Sequence, residues 1–317
     1  MDITAPRFTD ENAAREHLEA LRWPDGPTCP HCGSFAAKRL PAQRGRPTKA
    51  HPDGAIRDGI IQCNDCRKQY SVTVGTVFES SKIALNKWVL ATYMLTSSKK
   101  GMSAHQLHRM IGVTYKTAWF MFHRIREAMR EGELATPFGS GGGAVEVDET
   151  YIGRLKGAKP AKQGFGHKMK VISLVDRDTG RIRSYTFDQM ITTYVQPIVE
   201  ANIAKEARLI TDQAKLYKGI GKAFASHEFV NHSKGEYVRG DVYTNVVEGS
   251  FSIFKRGMKG IYQHCGEQHL HRYLAEFDFR YSNRAKLGIT DAVRADEALK
   301  GIGGKRLTYR RVNEQYA

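Results

Sequence analysis

The pattern of apolar and polar positions predicts a chain that begins with helices and then mixes strands with helices. Before residue 130, apolar residues recur at helical spacing in residues 12–21, 85–96, 103–112 and 115–129. After residue 143, short apolar runs predict strands at residues 144–153, 168–175, 181–187, 208–211 and 228–231. Helical spacing returns at residues 192–204, 213–223, 244–256 and 268–284. Residues 70–78 are predicted to form further short strands.

Two of the predicted strands carry an aspartate that packing does not explain. Alternation along the strand at residues 144–153 puts Val145 and Val147 on one face, and Glu146 and Asp148 on the other. The strand at residues 208–211 is followed directly by Asp212. An acidic residue at a strand end is usually a solvated turn residue, so Asp148 indicates a functional site only together with Asp212 and the acid of a later helix.

The helix predicted at residues 244–256 adds a third acid and a lysine. Glu248 and Lys255 are seven residues apart, almost two helical turns, and therefore share a face. Two strand-borne aspartates and a helix-borne glutamate can hold a pair of Mg²⁺ ions for phosphodiester chemistry.

Four of the five cysteines lie in two Cys-x-x-Cys pairs, Cys29 with Cys32 and Cys63 with Cys66. Thiolates at this spacing suit a tetrahedral Zn²⁺, and in a cytosolic chain they favour a metal over disulfides. The sequence therefore predicts a structural zinc ribbon. Residues 33–62 separate the two pairs, a longer interval than the usual one of about 15–20 residues.

The extra length between the cysteine pairs is basic and contains proline, at residues 38–49. Its composition favours a disordered surface loop. The alternative is a segment that lays Arg44 and Arg46 along an A·T-rich minor groove, where the negative potential is deepest.

The helices predicted at residues 103–112 and 115–129 flank a turn with Gly112, which fits a helix-turn-helix. The second helix is predicted to present Lys116, Arg124 and Arg126 on an exposed basic face, which favours DNA binding. The alternative is an ordinary three-helix bundle, because the aromatic residues of this helix must be mostly core.

The net positive charge of the chain predicts a polyanionic partner. The chain of 317 residues has 49 Lys and Arg against 33 Asp and Glu, a formal net charge of +16. Its length allows two or three domains. It has no apolar run of about 18 residues and no signal-peptide pattern, so we expect a soluble cytoplasmic protein without a membrane partner.

The order of these elements and acids resembles the ribonuclease-H-like fold of retroviral-integrase-type DDE enzymes. With the cysteine pairs and three further stretches, the resemblance narrows to the ISXO2-like transposases of bacterial insertion sequences, over about residues 10–285. Those stretches are VDETYIG (147–153), NHSKGEYVRG (231–240) and TNVVE (244–248). The resemblance implies an α/β fold with a ribonuclease-H-like mixed sheet and flanking helices, preceded by a zinc ribbon and a helix-turn-helix bundle.

The predicted domain organisation follows from this resemblance and from the patterning. It consists of an N-terminal helix and zinc ribbon (1–80), a helix-turn-helix domain (81–138), a linker (139–143), a ribonuclease-H-like catalytic domain (144–285) and a basic C-terminal tail (286–317).

The resemblance also implies which residues hold the catalytic metals. Asp148 and Asp212 correspond to the first two acids. For the third position, the family pattern Asn-x-x-Glu…Lys leaves both Asn245 and Glu248 as candidates. Charge favours Glu248, since a carboxylate binds Mg²⁺ better than a neutral amide, and Lys255 is spaced to contact a phosphate.

The implied activity is transposition. The protein would bind the terminal inverted repeats of its element, cut there with Mg²⁺ or Mn²⁺, and join the 3′ ends to target DNA as a homo-oligomer on the bacterial nucleoid. Lys255 and Arg256 would hold the DNA backbone, while the ribbon and helix-turn-helix would supply specificity. The alternatives are a zinc-dependent DNA-binding regulator without catalysis, which the three acids argue against, and a nuclease that cuts without joining.

Overall fold

The computed structural model describes residues 2–47, 49, 52–54, 56–132, 135–159 and 164–308. Its α-helices are, in chain order, α1 (Pro6–Thr9), α2 (Glu11–Arg22), α3 (Leu85–Ser97), α4 (Ala104–Ile111), α5 (Tyr115–Met129), α6 (Thr192–Asn202), α7 (Tyr217–Ile220), α8 (Asn245–Gly257), α9 (Glu267–Ser282) and α10 (Asp291–Lys300). Its strands are β1 (Ala37–Arg39), β2 (Gln43–Arg44), β3 (Ile56–Arg57), β4 (Ile61–Cys63), β5 (Gln69–Tyr70), β6 (Ala144–Ile152), β7 (Met169–Asp176), β8 (Ile182–Phe187), β9 (Arg208–Asp212) and β10 (Ser226–Val230). Among the described residues, no helix has both the length and the apolar composition that crossing a membrane requires.

The chain divides into two compact units. The first takes residues 1–97, residues 104–128 and the stretch from residue 291 onward, and the second takes residues 98–103 and 129–290. The ribbon segment and the helices α3 to α5, which the sequence assigns to two domains, thus belong to one unit. Their division into two DNA-binding modules stays a prediction.

The first unit contains a small antiparallel sheet in the order β1–β4–β5. The strands β2 and β3 form a separate antiparallel pair, with Gln43 opposite Arg57. Part of the insertion between the cysteine pairs is therefore a hairpin, rather than a loop throughout. The strands predicted at residues 70–78 are limited to Tyr70, because turns follow it.

The structure corrects the prediction of a basic tail after residue 285. Residues 291–300 form α10, which packs against α3 in the first unit. Ala295, Ala298 and Leu299 are buried, and the buried Arg294 donates a hydrogen bond to the carbonyl oxygen of Thr96 at 3.2 Å. The apolar residues of α10 form a narrow stripe with charged residues on both sides. The sequence pattern therefore indicated a charged tail rather than a helix.

The predicted helix, turn and helix are present at α4 and α5. The backbone N–H groups of Gly112 and Val113 donate to the carbonyl oxygen of His108 at 3.1 and 3.3 Å, which ends α4. Gly112 has a φ of +65°, a left-handed conformation that glycine adopts without strain. Thr114 then caps α5, because its Oγ1 accepts the N–H of Thr117 at 3.2 Å.

The second unit is built on a five-stranded mixed sheet in the order β10–β9–β6–β7–β8. The strands β6, β7 and β8 are antiparallel neighbours, whereas β9 runs parallel to both β6 and β10. This order and these directions confirm the predicted ribonuclease-H-like mixed sheet with flanking helices.

Helices cover both faces of this sheet, and β6 contributes side chains to both. Its Val145 and Val147 pack on the face covered by α6 and α7, with Val195 and Tyr217. The opposite face packs against α8 and α9, and its core includes Ile152, Val171, Val247, Phe251, Leu270 and Phe277. The predicted alternation along β6 is confirmed, and its second face points toward α8.

Candidate active site

The two aspartates lie side by side at the ends of neighbouring parallel strands. In the pairing of β6 with β9, Ala144 lies opposite Arg208 and Glu146 lies opposite Ile210. Two residues further along both strands, the same register puts Asp148 beside Asp212. Each carboxylate is fixed by its own backbone. Asp148 Oδ1 accepts the N–H of Glu149, and Asp212 Oδ1 accepts the N–H of Ala214, both at 2.8 Å.

An open pocket of about 490 Å³ lies where these strand ends meet α8. Its lining consists of Asp148, Glu149, Thr150, Asp212, His232, Glu248, Phe251, Ser252 and Lys255. The structure thus brings together four of the residues that the sequence singles out: Asp148, Asp212, Glu248 and Lys255. Asn245 is exposed at the first position of α8 and is not among the lining residues.

Two neighbours hold the side chain of Glu248. Thr244 Oγ1 donates a hydrogen bond to Glu248 Oε1 at 2.9 Å. His232 Nε2 lies 3.7 Å from the same oxygen and would form an ion pair with it when protonated. Thr244 and His232 both lie in the stretches that carry the family resemblance, but neither has a sequence signal that predicts a contact with Glu248.

The pocket concentrates negative charge. Burial raises the pKa of Asp148 to about 8, with further contributions from the charges of Glu149, Asp212 and Glu248. Burial also raises the pKa of Glu149, although the hydrogen bond from Tyr217 Oη to Glu149 Oε2, 2.6 Å long, lowers it. Carboxylates that resist ionisation together are stabilised by a cation between them.

The carboxylates of the pocket suit a divalent ion that also keeps water or substrate oxygens as ligands. In the described part of the chain, the only group of three or more His, Cys, Asp or Glu close enough to hold one ion by itself is the set of four cysteines. The pocket carboxylates are therefore spread more widely. Mg²⁺ is usually held by one or two carboxylates together with water and substrate phosphates, which suits an open pocket of this kind.

One further acid of β6 was missed as a functional candidate. Glu146 is completely buried, and its Oε2 accepts the N–H groups of Val246 and Val247 at the start of α8, both at 3.0 Å. Its Oε1 accepts Nε of Arg177 at 2.7 Å. A glutamate inside an otherwise apolar strand was the available signal, but its partners are too distant in sequence to be inferred.

The four cysteines form a second site, in the first unit. Their sulfur atoms lie within 4.8 Å of one another, with Cys29 Sγ 3.7 Å from Cys66 Sγ and Cys32 Sγ 3.6 Å from Cys63 Sγ. Zn–S bonds of about 2.3 Å in a tetrahedron require sulfur atoms about 3.8 Å apart. The arrangement fits Zn²⁺, as predicted.

The residues predicted to contact DNA are differently exposed. Arg44, Arg46, Lys116 and Arg256 are exposed. Arg124 is half-buried, and its Nε donates to the carbonyl oxygen of Leu307 at 3.2 Å.

The structure corrects the prediction that Arg126 lies on an exposed face. Only 2% of this residue is exposed. Its guanidinium carbon lies 5.7 Å from the ring centre of Phe122, because a long aliphatic stem lets arginine pack inside an apolar helix face. The basic face of α5 is therefore smaller than its sequence indicates.

Both segments of the chain that contain the candidate sites match models of known protein families. Residues 141–282 match the ISXO2-like transposase domain, and residues 9–69 match the transposase zinc-ribbon domain. The chain is 28% identical, over 313 residues, to an uncharacterised protein in transposable element ISH50 of Halobacterium salinarum, and the match covers 93% of this chain and 96% of that one. Among solved structures, the simian T-cell lymphotropic virus intasome in complex with PP2A regulatory subunit B56 gamma matches with a TM-score of 0.29 and 13% identity, over 54% of this chain and 63% of that one. The chain therefore carries a transposase zinc-ribbon domain followed by an ISXO2-like transposase domain.

Proposed function

We propose that this protein is a catalytically competent DDE transposase, which cuts DNA at the ends of its element and joins the freed 3′ hydroxyls to target DNA. The observation that carries the proposal is the convergence of Asp148, Asp212 and Glu248 on one pocket with Lys255 at its wall. A DNA-binding regulator has no need for three acids placed on two strands and a helix around one open cavity.

Asp148, Asp212 and Glu248 are the residues that would hold Mg²⁺ or Mn²⁺. When bound, such ions supply Lewis-acid stabilisation of the phosphate and favour ionisation of the attacking water or 3′ hydroxyl. The chain itself sets the geometry. The sheet register fixes the two aspartates side by side, and Thr244 together with His232 orients Glu248 toward them.

Lys255 is the residue that would bind a backbone phosphate at the pocket. Burial lowers its pKa, while the charge of Asp148 raises it, and the charges of Lys259 and Lys168 lower it further. A bound phosphate would stabilise the charge of this lysine, which the nearby acids balance only in part. A phosphate bound by Lys255 would also lie beside the carboxylates of the pocket. Lys255 thus positions the DNA strand that is cut or joined.

The remaining DNA contacts would come from the exposed basic residues and supply affinity and register. Arg44, Arg46, Lys116 and Arg256 are the candidates, and the net charge of +16 favours a double-stranded DNA partner. Arg44 and Arg46 belong to the ribbon insertion, and Lys116 lies on α5. Terminal repeats occur at both ends of such an element, so a homo-oligomer on the DNA is part of the proposal.

A single reaction separates this function from its two rivals. Zinc-loaded protein is incubated with Mg²⁺, a supercoiled plasmid and a labelled DNA duplex that carries the terminal repeat and a pre-formed 3′ hydroxyl. A transposase produces labelled plasmid. A nuclease releases labelled fragments without joined product, and a regulator binds the duplex without either reaction. Either of the last two results contradicts the proposal.

The third acid is tested by comparing Glu248→Gln with Asn245→Ala. Glu248 lines the pocket and Asn245 does not, so Glu248→Gln is expected to lose strand transfer almost completely. Asn245→Ala should only slow the reaction. Some activity of Glu248→Gln should return in Mn²⁺, which accepts imperfect ligand sets more readily than Mg²⁺ does. The opposite ranking of the two variants would move the catalytic role to Asn245.

The raised pKa of Asp148 gives the metal site a pH dependence. Below a pKa of about 8, against an ordinary value of 3.8, the carboxyl is mostly protonated in the metal-free fold, and a cation must displace that proton. We expect about one proton to be released per site filled by Mn²⁺ at pH 7. The apparent Mn²⁺ affinity should rise with pH and level off above about pH 8, the pKa of Asp148.

Titration calorimetry in two buffers of different ionisation enthalpy measures this proton release. The sign of the effect on stability is the opposite. Since the metal-free folded state holds the proton more tightly than the unfolded chain, the contribution of Asp148 to stability is present below pH 3.8 and is lost as the pH rises to about 8. Binding without proton release at pH 7 would contradict this account of the site.

A further inference from the structure

Glu146 is a buried charge that the chemistry at the pocket does not use. It lies two residues before Asp148 on the same face of β6, and none of its surface is exposed. Burying a carboxylate costs free energy unless its oxygens are hydrogen-bonded. Both oxygens are satisfied, one by Arg177 and the other by the N–H groups of Val246 and Val247.

This carboxylate acts as the cap of α8. The first N–H groups of a helix lack partners within the helix, and a side chain at the N-cap usually accepts one of them. Thr244 occupies the N-cap of α8, but its side chain makes no such hydrogen bond. Glu146 replaces it from the neighbouring strand, and its negative charge also suits the positive end of the helix dipole.

The capping of α8 by Glu146, rather than by Thr244, affects the pocket. Because Glu146 satisfies the start of α8, the hydroxyl of Thr244 is available for a different partner. Thr244 Oγ1 donates to Glu248 Oε1 at 2.9 Å, one turn further along the helix. The orientation of Glu248 thus depends on Glu146 through Thr244.

Arg177 ties down the segment that leads into α8. Its Nη1 donates to the carbonyl oxygen of Asp241 at 2.6 Å, and its Nη2 donates to that of Tyr243 at 2.7 Å. Its guanidinium carbon also lies 3.9 Å from the ring centre of Tyr243. The ion pair of Arg177 with Glu146 therefore holds both the start of α8 and the chain immediately before it against β6.

We propose that Glu146 and Arg177 are positioning residues for the metal site: they fix α8 against β6 so that Glu248 faces Asp148 and Asp212. The inference rests on the proposed function, because it assigns Glu248 to the cation. Errors of about 1 Å in the placement of a ligand are enough to weaken such sites. Loss of the ion pair between Glu146 and Arg177 should therefore lower the affinity of the site for the cation. It should change the reaction rate much less once the cation is saturating.

Glu146→Gln tests the proposal with little change in volume. The amide has one acceptor oxygen in place of two, so it cannot serve both Arg177 and α8. Mn²⁺ binding to the zinc-loaded, DNA-free protein is measured by electron paramagnetic resonance, and strand transfer is measured over a range of Mn²⁺ concentrations. We expect the half-saturating Mn²⁺ concentration to rise about tenfold to 100-fold. The rate at saturating Mn²⁺ should recover most of its wild-type value.

Asp278→Asn is the control for loss of a hydrogen-bonded carboxylate, here a half-buried one in the same unit. Asp278 lies on α9 and accepts the N–H and the hydroxyl of Ser184, both at 2.7 Å. Both variants should unfold at a lower temperature than the wild type. Only Glu146→Gln should bind Mn²⁺ more weakly.

Thr244→Val and Thr244→Ser keep the proposal testable if Glu146→Gln does not fold. Valine removes the hydroxyl that reaches Glu248, whereas serine retains it, so only the valine variant should weaken Mn²⁺ binding. Wild-type affinity in a folded Glu146→Gln, or in Thr244→Val when Glu146→Gln does not fold, would overturn the positioning role. A different result, in which wild-type protein and Asp148→Asn bind Mn²⁺ equally, would instead contradict the proposed function.

Discussion

Asp148→Asn is expected to abolish end cleavage and strand transfer while DNA-end binding stays nearly unchanged. The substitution replaces a carboxylate that faces two other acids with a neutral amide of the same size. Loss of one charged metal ligand removes several kcal/mol of transition-state stabilisation, which corresponds to a rate loss of roughly a thousandfold or more. Cleavage of a labelled terminal-repeat duplex and its retention in a gel-shift assay give the two measurements. Asp212→Asn should behave in the same way.

Asp178→Asn is the control for this experiment. Asp178 is an exposed aspartate of the same unit, in the turn between β7 and β8, and it is not among the residues that line the pocket. Its variant should cut and join at wild-type rates. Normal cleavage by either Asp148→Asn or Asp212→Asn would remove these residues from the metal site.

Cys29→Ser or Cys66→Ser is expected to unfold the ribbon. The four sulfur atoms lie at the separations that a tetrahedral Zn²⁺ needs, and the sheet around them consists of strands of only two or three residues. Structural zinc contributes about 10–16 kcal/mol of apparent binding free energy in small modules, so such a sheet depends on it. Zinc content by mass spectrometry and limited proteolysis of residues 25–70 give the measurements.

Cys265→Ser provides the matched control, because Cys265 lies in the second unit, where its Sγ donates to the carbonyl oxygen of Gly266 at 3.3 Å. This variant should keep its zinc and its resistance to protease. Freshly purified wild-type protein without zinc would contradict the assignment of the ribbon.

The elements that position the aspartates were predictable because their signals are local. Alternating apolar residues define β6, and an acid directly after an apolar run marks the end of β9. The same locality explains what was missed. The partners of Glu146, the N–H groups of Val246 and Val247, lie 100 and 101 residues away along the chain, and no pattern near Glu146 indicates them.

The errors at α5 and α10 have a common physical cause. Arg126 and Arg294 are buried, although arginine is usually a mark of the surface. The guanidinium of Arg126 lies near the ring of Phe122, and that of Arg294 pairs with Asp291 at 2.6 Å and donates to the carbonyl oxygen of Thr96. A pattern that counts every arginine as exposed therefore enlarges the basic face of α5 and turns α10 into a tail.

The division of the three acids between sheet and helix has an evolutionary consequence. The ladder of hydrogen bonds that builds the core of the second unit also fixes Asp148 and Asp212, so mutations that displace them endanger folding. Glu248 depends on a few contacts at the start of α8. A lineage that gives up transposition but keeps a folded DNA-binding protein would thus lose Glu248, or the contacts that orient it, before it loses either aspartate.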